Sequence, residues 1–169
     1  MDQNSAEAQV RAGITAHYAR IWRYCMALTG YRDWADDLVQ LTCLRAIEKA
    51  QQFEPGTYVD RWLFRIAQRA WLNELRKRKV RMGQGLVPVE ETDLPFDGPE
   101  TETNILARQV LNLTTALPEA QRVTLFLVYV EGYSYAEAAA HLEIPVGTVM
   151  SRLATARRTL NAKIEGSRA

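Results

Sequence analysis

Apolar side chains recur at steps of three and four through the first half of the chain, which is the spacing of amphipathic α-helices. Three such stretches cover residues 6–29, residues 33–53, and a segment from Val59 or Asp60 to about Arg81. Gly30 ends the first stretch, and Pro55 and Gly56 separate the second from the third, because both residue types interrupt helices. Asp33 is placed to cap the second helix. The pattern predicts a helical bundle over residues 5–81.

A second helical pattern covers residues 105–164 and includes two helices joined by a tight turn. Ser134 is placed to cap the first of these helices and Thr148 the second. Pro145 and Gly147 break the run between them. We expect small and branched apolar side chains to form the inward faces: Ala136, Ala139, Ala140 and Leu142 in the first helix, and Val149, Leu153, Ala156 and Leu160 in the second.

The second of these two helices is basic as well as amphipathic. Arg152, Arg157 and Arg158 lie outside its apolar stripe and are available for phosphates or base edges. Such a pair of helices is the arrangement that presents an α-helix to the major groove of DNA. Within it we expect Arg152 to contact bases and Arg158 to contact a phosphate. The alternative is an ordinary helical hairpin, which is a far commoner structure.

The net charge of +1 over 169 residues conceals a strong segregation of charge. Residues 61–81 hold eight Lys or Arg and one acid, whereas residues 82–104 hold six acids and no Lys or Arg. The acidic stretch also contains three Pro and three Gly without any periodicity, as an extended linker does. The sequence therefore predicts an all-α protein of two small helical domains, residues 5–81 and 105–164, joined by a flexible acidic linker over 82–104.

The third helix alternates cations with aromatic residues, and the turn before it adds Phe53 and Tyr58. Cations neutralise phosphates and aromatic rings stack on bases, so this combination suits opened nucleic acid. The turn could also cradle a flipped base. The alternatives are a plain connector and a solvated basic face with Trp62 and Trp71 in the core. The spacing of the two tryptophans follows the apolar stripe and favours a core position for both.

One face of the second helix lies outside the apolar stripe and carries Asp37, Gln40, Leu41, Leu44 and Glu48. We expect the two leucines to be partly exposed there. A pair of exposed leucines flanked by polar groups indicates a protein-binding face.

Signals for catalysis, metal binding and membrane insertion are missing from the sequence. His17 and His141 lie on separate helices without a nucleophile or ligand spacing nearby. Cys25 and Cys43 lack a CxxC pattern, so we expect reduced core residues of a cytosolic protein. The N-terminus lacks the apolar region of a signal peptide, and no stretch approaches the roughly 18 apolar residues of a membrane span. We expect a cytoplasmic protein with no cofactor, no metal and no enzymatic activity.

Several strings resemble a bacterial sigma factor of the extracytoplasmic-function (ECF) type. They are DLVQ and WLFRIA in the first domain, and LPEAQR, EGYSYAEAA and PVGTVMSRL in the second. The likeness covers about residues 8–164, with the family's regions 2 and 4 in order. It implies a promoter-specificity subunit with core RNA polymerase, promoter DNA and an anti-sigma factor as partners. Region 2 would dock on the polymerase clamp and melt the −10 element, and region 4 would read the −35 element and contact the polymerase flap.

The resemblance and the residue patterns together assign the candidate sites. Polymerase binding is expected from Asp37, Gln40, Leu41 and Leu44. Contact with the −10 element is expected from Phe53, Tyr58, Arg61, Trp62, Arg65, Arg69, Asn73, Arg76 and Lys77. Contact with the −35 element is expected from Thr148, Ser151, Arg152, Thr155, Arg157 and Arg158. The second helix of the pair at residues 134–160 would be the recognition helix of region 4. It has fewer cations than is usual in the family, because Met150 and Thr155 stand where Lys or Arg is common.

Two alternative functions fit parts of the sequence. A sigma-like mimic that sequesters an anti-sigma factor would be consistent with the few cations of the recognition helix, but such a mimic would not need the basic third helix. A conventional helix-turn-helix transcriptional regulator would not need the first domain.

Overall fold

The structure, a computed structural model, describes residues 3–84 and 113–169. The chain divides into two compact units, Met1–Asp93 and Leu94–Ala169. Every regular element within the described residues is helical, as the sequence predicts. Most of the predicted linker, residues 85–104, and the start of the predicted second domain, residues 105–112, lie outside the described residues.

Three long helices and one short turn of 3₁₀-helix build the first unit. Helix α1 spans Gln3–Thr29, α2 spans Arg32–Glu48, the 3₁₀ turn spans Ala50–Gln52, and α3 spans Val59–Gly83. The three helices pack against one another. The largest fully buried apolar side chains in this unit are Val10, Ile21, Tyr24, Leu28, Val39, Leu63 and Phe64. Tyr24 also satisfies its polar end, since its hydroxyl donates a hydrogen bond of 2.7 Å to Gln68 Oε1.

Helix α1 and the start of α3 approach closely at Gly13. A Cβ atom at this position would lie 2.7 Å from the side chain of Val59, so a larger residue would push the two helices apart. Gly30 follows α1 with a φ of 77°, a left-handed conformation that ends the helix as predicted.

Helix α2 begins one residue earlier than predicted, and Asp33 does not cap it. The residue before the helix is Tyr31, which provides no side-chain cap. Asp33 lies inside the first turn, where its charge still favours the helix N-terminus. The hydroxyl of Thr29 instead organises the turn, because it accepts from the Tyr31 N–H at 3.3 Å and donates to the Tyr31 carbonyl at 3.0 Å. At the other end α2 stops at Glu48, earlier than the predicted residue 53.

The second unit contains the predicted helix-turn-helix. Residues 113–115 are helical, α4 spans Glu119–Leu125 and continues into a π-helical turn over Phe126–Val130, α5 spans Tyr135–Leu142, and α6 spans Val146–Arg168. Ser134 caps α5 as predicted, and it does so reciprocally with Glu137. The Ser134 hydroxyl accepts from the Glu137 N–H at 3.0 Å, and the Glu137 carboxylate accepts from the Ser134 N–H at 2.8 Å.

The predicted cap of the recognition helix is wrong. Helix α6 begins at Val146 directly after Pro145, so Thr148 lies within the first turn and provides no side-chain cap. Proline is well suited to the start of a helix because it lacks an N–H that would go unpaired there.

The predicted inward face of α5 is also partly wrong. Its buried residues are Ala138, Ala139 and His141, whereas Ala136 and Ala140 face solvent and Leu142 is half-buried. Alanine occupies both sides of this short helix, so the positions of its apolar residues do not show which side faces the core. None of the helices in the described ranges is long and apolar enough to cross a membrane.

Candidate nucleic-acid and polymerase interfaces

A row of arginines runs along the side of α3 opposite the core. The buried side of the helix carries Leu63, Phe64, Ala67, Ala70 and Trp71. Arg65, Arg69 and Arg76 are four and seven residues apart, so at 3.6 residues per turn they fall on one line. All three are exposed. The structure thus brings these three predicted DNA contacts together on one surface, where their charges can follow a phosphate backbone.

The loop before α3 holds two aromatic residues with opposite environments. Tyr58 is 75% exposed, and the guanidinium of Arg61 lies 5.4 Å from its ring centroid. Phe53 is only 3% exposed, and its ring packs 5.3 Å from that of Trp62. The predicted contact between Phe53 and DNA is therefore wrong in this structure, because a ring buried in the core is not accessible to a base. Tyr58 is the ring of this loop that a base can reach.

The two tryptophans of α3 differ in the same way. Trp71 is buried in the core, as predicted. The predicted core position is wrong for Trp62, which is only half-buried beside the row of arginines and contacts the Phe53 ring. Asn73 is exposed next to Arg76, whose guanidinium donates a long hydrogen bond of 3.4 Å to the Asn73 Oδ1 atom. Lys77 is exposed on the flank of the same helix.

The predicted polymerase-binding residues share one face of α2. Asp37, Gln40 and Leu44 are exposed and Leu41 is half-buried, with Leu44 exposed by 55%. The neighbouring acid Asp36 belongs to a different surface, since its Oδ1 atom accepts a 2.7 Å hydrogen bond from the indole of Trp22 on α1. The result is an apolar strip edged by one carboxylate and one amide, which is a suitable composition for a protein interface.

The six predicted −35 contacts occupy three sides of α6. Val149, Leu153 and Ala156 are buried, as predicted. Ser151, Thr155 and Arg158 follow at steps of four and three on the opposite side, while Arg152 and Arg157 lie on the two flanks. Arg152 and Thr148 are half-buried, and Ser151, Arg157 and Arg158 are exposed. Short local bonds hold Ser151 to the Thr148 carbonyl at 3.0 Å and Arg158 to the Thr155 hydroxyl at 3.2 Å.

Tyr129 is a candidate site residue that the sequence patterns did not reveal. It lies in the π-helical turn, is 53% exposed, and its hydroxyl accepts a 2.7 Å hydrogen bond from Arg157. The two residues are 28 positions apart, so no local spacing links them. A π-helical turn often occurs at functional sites, but its position depends on tertiary packing.

The two cysteines are free thiols, as predicted, but only Cys25 is a core residue. Burial raises the pKa of Cys25 to about 12, although a hydrogen bond with Thr42 opposes part of that rise. The pKa of the half-buried Cys43 is raised by the same cause. Both thiols therefore stay protonated at neutral pH, which makes them poor nucleophiles.

A basic helix beside an exposed aromatic ring in one unit and a helix-turn-helix in the other define a DNA-binding protein of the helix-turn-helix class. The family model described as Sigma-70 region 2 matches residues 14–81, and the model described as Sigma-70, region 4 matches residues 107–160.

Similar proteins narrow this class further. The ECF RNA polymerase sigma factor EcfG of Rhodopseudomonas palustris is 33% identical over 158 residues, which cover 90% of this chain and 83% of the relative. The ECF RNA polymerase sigma factor SigL of Mycobacterium tuberculosis is 31% identical over 161 residues, covering 94% and 90% of the two chains. The sigma factor RpoE of Bartonella quintana, solved in complex with the anti-sigma factor NepR, superimposes with a TM-score of 0.73 at 25% identity and covers 92% of this chain and 96% of that one.

The chain belongs to the ECF sigma factors of the sigma-70 family. Its function is that of a sigma factor, which directs RNA polymerase to promoters and starts transcription there. Proteins of this family are DNA-binding regulators rather than catalysts.

Proposed function

We propose that the first unit opens the −10 element with α3 and the loop before it. The arginine row of Arg65, Arg69 and Arg76 beside the exposed Tyr58 is the observation that carries this proposal. Cations hold the phosphates of one strand while the ring accepts a base that has left the stack. Unstacking a base costs a few kcal/mol, so the open state needs a contact of this kind to compensate.

The α2 face around Leu44 binds core RNA polymerase, and the apolar area of Leu41 and Leu44 supplies the attraction. Asp37 and Gln40 at its edge add polar contacts that fix the orientation. This face lies on a different helix from the arginine row, so one unit can hold polymerase and DNA at once.

The second unit reads the −35 element with the N-terminal half of α6. The outward line that begins at Ser151 faces base edges in the major groove, and the flanking Arg152 and Arg157 reach the two phosphate backbones. Residues 5–81 and 105–164 act as two domains on one promoter. Because one chain joins the two domains, binding of either raises the effective concentration of the other at its own element.

An anti-sigma factor regulates this chain by occupying the surfaces that polymerase needs. The similar RpoE chain was solved with the anti-sigma factor NepR, and that complex supports the proposal. The protein works in the cytoplasm, where polymerase and promoter DNA meet, and it has no catalytic activity of its own.

Reconstitution with core polymerase tests the opening mechanism. Tyr58→Ala should leave closed complexes intact but reduce the permanganate reactivity of promoter thymines by about fivefold or more, since one stacking contact contributes about 1–3 kcal/mol. Tyr18→Ala removes an exposed tyrosine of α1 and serves as the matched control. Unchanged reactivity in Tyr58→Ala would assign base capture elsewhere. An absence of promoter-dependent transcripts with wild-type protein would instead favour the mimic that only sequesters an anti-sigma factor.

A further inference from the structure

The C-terminal part of α3 is attached to the bundle through a stack of aromatic and charged side chains. The guanidinium of Arg78 lies 3.2 Å from the ring centroid of Trp34 and 5.6 Å from that of Trp71. Its Nε atom also donates a 3.1 Å hydrogen bond to the carboxylate of Glu74. The Trp34 ring also makes tilted contacts with Trp71, at a centroid distance of 5.7 Å, and with Tyr31, at 5.5 Å.

Arg78 points in a different direction from its basic neighbours. It follows Ala67, Trp71 and Glu74 at helical spacing, so it lies on the core side of α3. Arg78 is half-buried there, whereas Arg76, Lys77 and Lys79 are exposed. The basic run at the end of α3 is therefore divided between a cation directed toward the protein and cations directed toward solvent.

The apolar attachment of α3 ends before the helix does. Trp71 is the last buried residue of α3, and Val80 and Met82 are both 60% exposed. Three further turns of helix thus extend past the last buried side chain. A helix of that length without a packed face is marginal in water, so the Trp34–Arg78 contact has a disproportionate effect on its order.

We propose that Trp34 and Arg78 are positioning residues that fix the C-terminal turns of α3 and so hold Arg76 and Lys77 in register with promoter phosphates. The inference rests on the proposed DNA-binding role of α3. Arg78 supports the helix rather than a phosphate, since Trp34 covers one face of its guanidinium and Glu74 accepts from its Nε atom. A planar guanidinium is required, because the compact ammonium of lysine cannot stack on an indole in the same way.

Amide hydrogen exchange of the free, full-length protein tests the positioning role. Arg78→Lys keeps the charge and loses the stack, so exchange at residues 76–82 should accelerate by about two- to fivefold, while residues 59–70 stay unchanged. Arg76→Lys, two residues away and outside the stack, is the matched control and should leave exchange as in wild type. Trp34→Ala should reproduce the Arg78→Lys effect, and Trp34→Phe, which keeps a ring, should restore most of the protection.

Promoter binding by the holoenzyme tests the consequence for DNA. Arg78→Lys, Trp34→Ala and the double variant should weaken promoter binding by a similar factor, because each removes the same stack. Three results would each overturn the proposal: promoter binding by Arg78→Lys that equals wild type, as a phosphate contact kept by the lysine charge would give; losses that multiply in the double variant; or unchanged exchange at 76–82. Failure of the wild-type holoenzyme to select promoters would refute the proposed function. The exchange experiment contains no DNA, so it would still show whether Trp34 and Arg78 order the end of α3. If Trp34→Ala does not fold, amide exchange and promoter binding of Arg78→Lys and Trp34→Phe still test the proposal.

Discussion

Phe53 and Tyr58 lie at the two ends of one short loop, and their rings contribute to different properties of the protein. The buried Phe53 ring supports the core, so its removal would cost on the order of 3–5 kcal/mol of folding free energy. The exposed Tyr58 ring contributes little to stability, since surface substitutions usually change it by about 0.5 kcal/mol or less. A loss of promoter opening in a Tyr58 variant therefore reports on DNA contact, whereas the same loss in a Phe53 variant could result from unfolding.

At the same scale, the hydroxyl of Tyr129 is expected to orient Arg157. Tyr129→Phe removes one exposed hydrogen bond, so promoter affinity of the holoenzyme should fall by about two- to fivefold with little change in the thermal midpoint. A double-mutant cycle with Arg157→Ala provides the measurement. The double variant should bind no more weakly than Arg157→Ala alone, and fully additive losses would show that the two residues act independently.

At the scale of the helix, the turn of about 100° per residue gives adjacent side chains different partners. Asp36 accepts a hydrogen bond from α1, while Asp37 is exposed on the face of α2 that carries Leu44. Arg76 and Arg78 are separated in the same way. Helices α2 and α3 thus each have a core side and one proposed functional side, and neighbouring residues of like charge cannot be assumed to share a role.

The α2 face yields a prediction about polymerase binding. Leu44→Asp places a charge in the proposed apolar contact, so affinity for core polymerase should fall by about tenfold or more, because central interface residues often contribute more than 1 kcal/mol. Helicity should be unchanged, since Leu44 is already exposed. Ile164→Asp, an exposed aliphatic position on α6, is the matched control. Equal affinities of Leu44→Asp and wild type in a binding titration would remove this face from the interface.

The recognition helix yields a second prediction. The structure favours a phosphate contact for Arg152, whereas the sequence predicts a base contact. Arg152 lies on a half-buried flank, so Arg152→Ala should weaken binding equally on all −35 sequences and reduce the salt slope by about 0.9. Ser151 lies on the outward line, so Ser151→Ala should change the preference at one base pair by roughly 1 kcal/mol. Binding titrations on a panel of −35 variants at several salt concentrations separate the two. Base-selective losses in Arg152→Ala would instead support the base contact that the sequence predicts for Arg152.

At the scale of the whole molecule, nearly balanced charge hides two opposed regions. The total of +1 arises from a basic helix followed by an acidic stretch, so local charge rather than net charge attracts DNA. The change of sign comes after Arg81, near the end of the first compact unit. Promoter affinity should consequently depend steeply on salt, although the isoelectric point is close to neutral.

Stability at high pH is a prediction for the folded chain as a whole. Burial raises the pKa of Cys25 from 9.0 to about 12, so the unfolded chain loses this proton before the folded one does. The stabilisation is complete below pH 9 and is lost as pH rises from about 9 to about 12, at up to ~1.4 kcal/mol per pH unit for this group. Denaturant titrations of wild type and Cys25→Ser over this range measure the difference in slope. Parallel pH profiles would show that Cys25 does not titrate differently in the two states.

Local spacing was sufficient for much of the fold because helices are stabilised by contacts between residues three and four apart. The apolar spacing predicted the basic helix that carries Arg65, Arg69 and Arg76, and the signals at Gly30 and Ser134 predicted where helices end and begin. The same logic failed at Asp33 and Thr148, since a capable residue near a helix start is not a cap unless the backbone places it before the first turn.

Contacts between distant residues were decided by the tertiary structure. The burial of Phe53 depends on Trp62 from another element, the position of Arg157 on Tyr129, and the direction of Arg78 on Trp34. The sequence by itself determined the helical class, the order of the two units, the basic helix and the helix-turn-helix, because these follow from periodicity and local breaks. Only the packed chain decided which aromatic ring reaches solvent and which cation is held by the protein, because those choices depend on side chains brought together from separate helices.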